Sequence, residues 1–151
     1  VELTYQLNTD VSDDTYLNSL SPQDNNGGVQ TVLGAGLSPD FSVLFKLMDV
    51  LIPTCASIEE ATLWLYAGNP NLRFPSEWQA YPLLSPWDEY AASWVHRAPD
   101  LTWEAPGATG ATDRSVDAVP IERIEQDGIP GIQIDLTTLP RQNFGVVIFT
   151  N

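Results

Sequence analysis

The stretch SIEEATLWLY, residues 57–66, alternates along its second half, with Ala61, Leu63 and Leu65 on one side and Thr62, Trp64 and Tyr66 on the other. A period of two is that of a β-strand, whose successive side chains point to opposite faces. The aliphatic set is the natural core face. The opposite set is mixed, with two large rings beside a hydroxyl, and such a face suits a covered edge, a partner surface or an aromatic platform.

The same pattern recurs outward from this stretch. In FSVLFKLM (41–48), Val43, Phe45 and Leu47 oppose Leu44, Lys46 and Met48; in GIQIDLT (131–137), Ile132, Ile134 and Leu136 oppose Gln133, Asp135 and Thr137. VELTYQL, DTYLNSL, VQTVLGAG, AYPLL and FGVVIFT are further short runs bounded by turn residues. Twelve prolines and ten glycines interrupt the chain so often that no window of about 15 residues keeps clean helical periodicity. Eight or more short strands predict an all-β antiparallel sandwich, jelly roll or barrel. QDNNGG (23–28) reads as a tight loop, because Asn and Gly accept positive φ, while GNPNLRFPSEW (68–78) and EAPGATGATDRSVDAVP (104–120) read as longer excursions. One short helix fits WDEYAASWV (87–95), where Trp87, Tyr90 and Trp94 recur at helical spacing.

The 151 residues suit one domain, residues 1–151, with a core of its own. Six Lys and Arg against twenty Asp and Glu give a net charge of −14, which repels DNA, RNA, anionic lipid and acidic polysaccharide. Nucleic acid and membrane are therefore not expected partners. No apolar run approaches the roughly 20 residues of a membrane span. The start VELTYQLN has no signal-peptide character and no initiator Met, so it reads as a soluble, already processed chain. The single cysteine, Cys55, excludes an intramolecular disulfide and reads as a buried spectator thiol.

The rare residues gather in SPWDEYAASWVHRAP (85–99), which holds the only histidine, His96. Acid–base hydrolysis needs two carboxylates facing across a cleft. Asp88 and Glu89 are adjacent and point apart on a strand, so Glu89 reads instead as an acceptor that holds the segment down. A Ser-His-Asp triad lacks its G-x-S-x-G elbow. Zinc needs about three nitrogen or sulfur ligands, which one His and one Cys cannot supply. Calcium has candidate oxygens in SDD (12–14) and QDNNGG, but turn chemistry explains both, and neither has EF-hand spacing. No metal, cofactor or catalytic residue is assigned. Sugar rings or a partner protein can stack on aromatic faces. Trp64, Tyr66, Lys46, Trp78, Tyr81 and Trp103 form the candidate ligand or partner surface, a role that predicts no change in the melt when Trp64 or Trp103 is removed.

SVLFKLMDVLIPTCASIEEATLWLY (42–66) resembles, without gaps, the segment RxLLxFDLSxIPxxAxIxxAxLxLY of the DNRLRE family of disaggregatase-related β-sandwich modules. DTYLNSLSPQDNNGGVQTVLGAG is similar to its opening DxYxxxxxPxxNxGxxxxLxVG, PWDEYAASWVHRAP to WxExxxTWxxxP, WEAPGATGATD to WxxPGxxGxxD, and IQIDLTTLPRQNFGVVIF to xFDVTxLVxxxxNxGxxL. The match covers about nine-tenths of the chain in order. Ser42 stands for the family's Arg, Met48 for its Asp and Ser93 for its Thr. The resemblance implies a jelly-roll-like sandwich of secreted, surface or phage structural proteins, some of which bind glycans, without catalysis. It makes Trp87, Glu89, Trp94 and Pro99 structural signature positions and leaves Asp88 and His96 as passengers. Family modules carry one more strand after the position of GVVIF, so the expected edge is covered by VELTYQL or by a neighbouring chain. The leading expectation is a non-catalytic subunit of a surface assembly, homo-oligomeric, as in a virion decoration protein or an extracellular filament. A module recognising a neutral polysaccharide comes second, and a hydrolase third.

Overall fold

The structure, a computed structural model, describes residues 12–26, 41–47, 57–68, 77–140 and 143–150. Over these the chain is all-β: β1 (Ser12–Asn18), β2 (Phe41–Leu47), β3 (Thr62–Tyr66), β4 (Trp78–Pro82), β5 (His96–Ala98), β6 (Leu101–Thr102), β7 (Ile121–Gln126), β8 (Ile129–Asp135) and β9 (Val146–Thr150). One antiparallel sheet has the order β1-β2-β9-β4, a second β3-β8-β7, and β5-β6 is a small hairpin. VELTYQL, VQTVLGAG, Met48 and Cys55 lie outside the described residues.

The two larger sheets meet across a core built from the expected faces. Val43 and Phe45 of β2, Ala80 of β4 and Val146 and Ile148 of β9 pack against Leu63 of β3 and Ile132 and Ile134 of β8, with Val119 completing the cluster. Each large aliphatic side chain buried here is worth about 1.5–3 kcal/mol, so this layer is the main force joining the sheets. The last strand is interior, since β2 and β4 flank β9 on its two sides. Its entry depends on Gly145, with φ of +89° and the Phe45 carbonyl oxygen lying where a Cβ would stand. Beyond β4, bridges from Ala80 to Val119 and from Leu83 to Arg114 bring the 104–120 excursion along that edge. Jelly-roll connectivity needs eight strands in two Greek keys; the described strands supply four and three.

The second face of β2 is also buried. Leu17, Leu44, Leu83 and Val147 meet Ala92, Trp103 and Ala108, with Tyr81, Trp87, Trp94 and Phe149 around them. The segment from Ser85 to Asp113 is therefore a third layer over the β1-β2-β9-β4 sheet. The second face of β3 has no such cover among the described residues, and Trp64 and Tyr66 stand 47% and 43% exposed.

The structure departs locally from the sequence expectations in three places. WDEYAASWV forms a single turn rather than a helix: Ala91 and Ala92 N–H donate to the Asp88 carbonyl, and Tyr90 N–H to Asp88 Oδ1. Ser93 N–H then turns away to the His96 carbonyl at 2.8 Å, which ends the turn. IERIEQ is strand β7, hidden by its charged residues but announced by Asp127-Gly128, whose φ values of +52° and +78° make the tight hairpin turn into β8. The β5-β6 hairpin was also not anticipated, and Pro99 sits exposed at its tip beside Asp100, whose φ is +59°.

Candidate functional site

The clasp, residues 85–113, is held by groups that sequence alone makes look chemical. Glu89 is 7% exposed and accepts the Asp14 N–H at 3.2 Å, a main-chain donor of strand β1. Asn25 of the QDNNGG loop donates through Nδ2 to the Glu89 and Ala92 carbonyls, at 2.8 and 2.7 Å. Trp87 Nε1 donates to the Phe144 carbonyl at 2.7 Å, and Trp103 Nε1 to the Ser93 carbonyl at 3.0 Å. Ser93 is buried, and its Oγ accepts the His96 N–H at 3.1 Å while His96 Nδ1 lies 3.5 Å away. That hydroxyl is committed to the turn and closed to a substrate.

Sequence reasoning matched the last acid of WEAPGATGATD to a family position but gave no role to it, and that residue organises the clasp's far end. Asp113 is 1% exposed, and its carboxylate accepts main-chain N–H groups of Glu104 (2.9 Å), Ala105 (3.0 Å) and Gly110 (3.0 Å). Glu104 returns the pattern by accepting Thr112 N–H and Oγ1–H. Gly107, with φ of +76°, donates its N–H to the Trp94 carbonyl at 2.7 Å, and the Trp94 ring occupies the place of its missing Cβ. Ser42 Oγ donates to the Gly107 carbonyl from β2 at 3.1 Å. The signal was the PGATGATD spacing itself, which puts a carboxylate three residues beyond a glycine N–H.

Charge accumulates where Glu89 meets β1. Burial, then the Glu89 charge, push the Asp14 carboxyl above its ordinary 3.8, with Ser12 opposing and Asp13 adding. Lys46 is engaged with Asp13 at 3.8 Å. A pKa raised in the folded state means that the native form holds the proton more tightly than the unfolded chain. Its contribution is full below the unfolded value and is lost as pH rises through the folded one. Asp14→Asn is therefore expected to raise the melting temperature at pH 7, with a gain that shrinks as pH falls toward 3.8. Paired melts at several pH values check this; a gain independent of pH would assign it to something other than ionisation.

The six aromatic and basic candidates do not form one surface. Trp103 is buried in the second core, 4% exposed, which corrects its placement on a ligand face. Tyr81 edges the same core beneath Arg114, whose Cζ stands 3.8 Å from its ring centroid. Trp78 packs against the inter-sheet core and lines a cavity of about 320 Å³ with Glu77, Gln79, Ile121, Arg123 and Ile132. Lys46 belongs to the other sheet. Trp64 and Tyr66 alone remain together, on the outer face of β3-β8-β7.

Register defines that outer face. One row holds Thr62 and Asp135, the next Trp64, Gln133 and Glu122, and the third Tyr66, Gly131 and Ile124. At strand and residue spacings it measures roughly 10 by 14 Å. Trp64 Nε1 donates to Gln133 Oε1 at 3.1 Å, and the Tyr66 ring lies over Gly131. A groove of about 270 Å³ continues the face, lined by Glu60, Thr62, Pro120, Glu122, Gln133, Asp135 and Thr137. Within it the Thr137 N–H, donating at 2.9 Å, holds the Asp135 carboxyl below its usual range. Among the described residues no group of three or more His, Cys, Asp and Glu side chains is placed to hold a metal ion. Compared with family models, curated proteins and solved structures, the chain matches none.

Proposed function

We propose that the chain is a non-catalytic structural module of a surface assembly, such as a virion decoration protein or a subunit of an extracellular filament, that docks other protein subunits. The observation that carries this reading is the outer face of β3-β8-β7. Two large rings stand exposed on one open sheet face, and an exposed aromatic face suits a matching protein surface. The polar groups of the clasp support it, since Glu89, Ser93 and Asp113 are buried and bonded to main chain. The resemblance to DNRLRE modules points the same way. Cross-linking mass spectrometry or electron microscopy of the particle or filament that carries the chain is expected to find Trp64 and Tyr66 under a neighbouring subunit. A folded monomer that associates with no particle would overturn the proposal.

The groove that continues the Trp64 face favours a second reading, a module for a neutral polysaccharide, because Gln133 bonds the indole and the hydroxyl groups of Thr62 and Thr137 line the groove with it. It predicts that Trp64→Ala abolishes binding on a polysaccharide array with the melt unchanged.

A further inference from the structure

We infer that the outer face of β3-β8-β7 receives a basic segment of a partner protein, seating an Arg or Lys in the groove and an apolar neighbour on Trp64 and Tyr66. The inference rests on the assembly reading above and names the partner's chemistry.

Charge selects the occupant. Glu60, Glu122 and Asp135 line the groove, and its described lining includes no Lys, Arg or His. Glu122 lies in the same cross-strand row as Trp64, with Gln133 between them. A cation placed against Glu122 therefore has an indole within reach of its stem. A guanidinium compensates the carboxylates and also stacks on a ring. Burying the face without a cation strips water from three carboxylates and returns nothing, which disfavours a neutral occupant. A second copy docked through the same face sets these carboxylates against their own equivalents, in a chain already at −14, so the partner is a different surface. Because the Trp64 N–H is already bonded to Gln133, the exposed part of the indole offers its π-face.

The test uses the full chain with three probes: tetra-arginine, tetra-glutamate and cellohexaose. Tetra-arginine is expected to move the Trp64 indole N–H resonance saturably, and raising the ionic strength to about 1 M to abolish the effect. Glu122→Gln is expected to weaken binding about threefold to fivefold, and Glu60→Gln with Glu122→Gln further, as removal of near-surface charge partners does. Glu60, Trp64 and Glu122 are exposed, so an unchanged melt verifies that these variants and Trp64→Ala are folded. No response of Trp64 to tetra-arginine, or a response indifferent to Glu122→Gln, overturns the inference. So does a response to cellohexaose alone, which places a neutral glycan on the face. If the assembly buries Trp64 under an acidic or neutral subunit, the basic-partner inference fails while the assembly reading stands.

Discussion

Trp103→Ala is expected to cost about 3–5 kcal/mol of folding stability and to lower the melting temperature by roughly 10 °C. The ring is buried between Leu44, Val147 and the clasp, so truncation opens a cavity that neighbouring strands cannot collapse to fill. It also removes the donor to the Ser93 carbonyl, inside a layer where main-chain groups need partners. Trp64→Ala is the matched control, since its ring is about half exposed and its loss is expected to cost under about 1 kcal/mol. Denaturant melts of the two variants decide the matter. If Trp103→Ala leaves the midpoint where it was, the clasp is a loose flap rather than a layer of the fold.

Asp113→Ala is expected to cost about 4 kcal/mol, because it leaves three main-chain donors without their charged acceptor. Asp113→Asn is expected to cost somewhat less, since the amide keeps one acceptor oxygen but turns its NH₂ toward N–H groups. Hydrogen exchange gives the local readout. The amides of Glu104, Ala105 and Gly110 are expected to lose protection first, while those in the middle of β9 stay protected until the whole sandwich opens. Unchanged exchange at Gly110 would mean that the carboxylate does not organise this end of the clasp.

Much of the fold was legible because strand periodicity is local. Alternation around Leu63, Val43 and Ile134 put the right side chains in the inter-sheet core, and the reading of Glu89 as an acceptor matches its bond from the Asp14 N–H. β7 was missed because its two isoleucines, three residues apart, fall on opposite faces and charged residues occupy both, so no period-two alternation shows, although the Asp-Gly turn before β8 announced it. Asp113 was matched as the last position of WxxPGxxGxxD, but its role was not legible, because its three donors lie up to nine residues away and meet it only in the folded turn.

The candidate surface shows the limit most clearly. The second faces of β2 and β3 look alike in sequence, each mixing large apolar groups with polar ones. In the fold, Leu44 is buried beneath the clasp and Trp64 stands exposed. The sequence by itself determined the all-β class, the two faces of each of these strands and the residues of the inter-sheet core, since all follow from a period of two. Tertiary structure alone decided which second face is covered, because that depends on where a segment forty or more residues further along the chain lies down. It thereby made Trp103 a core residue and left Trp64 and Tyr66 as the surface.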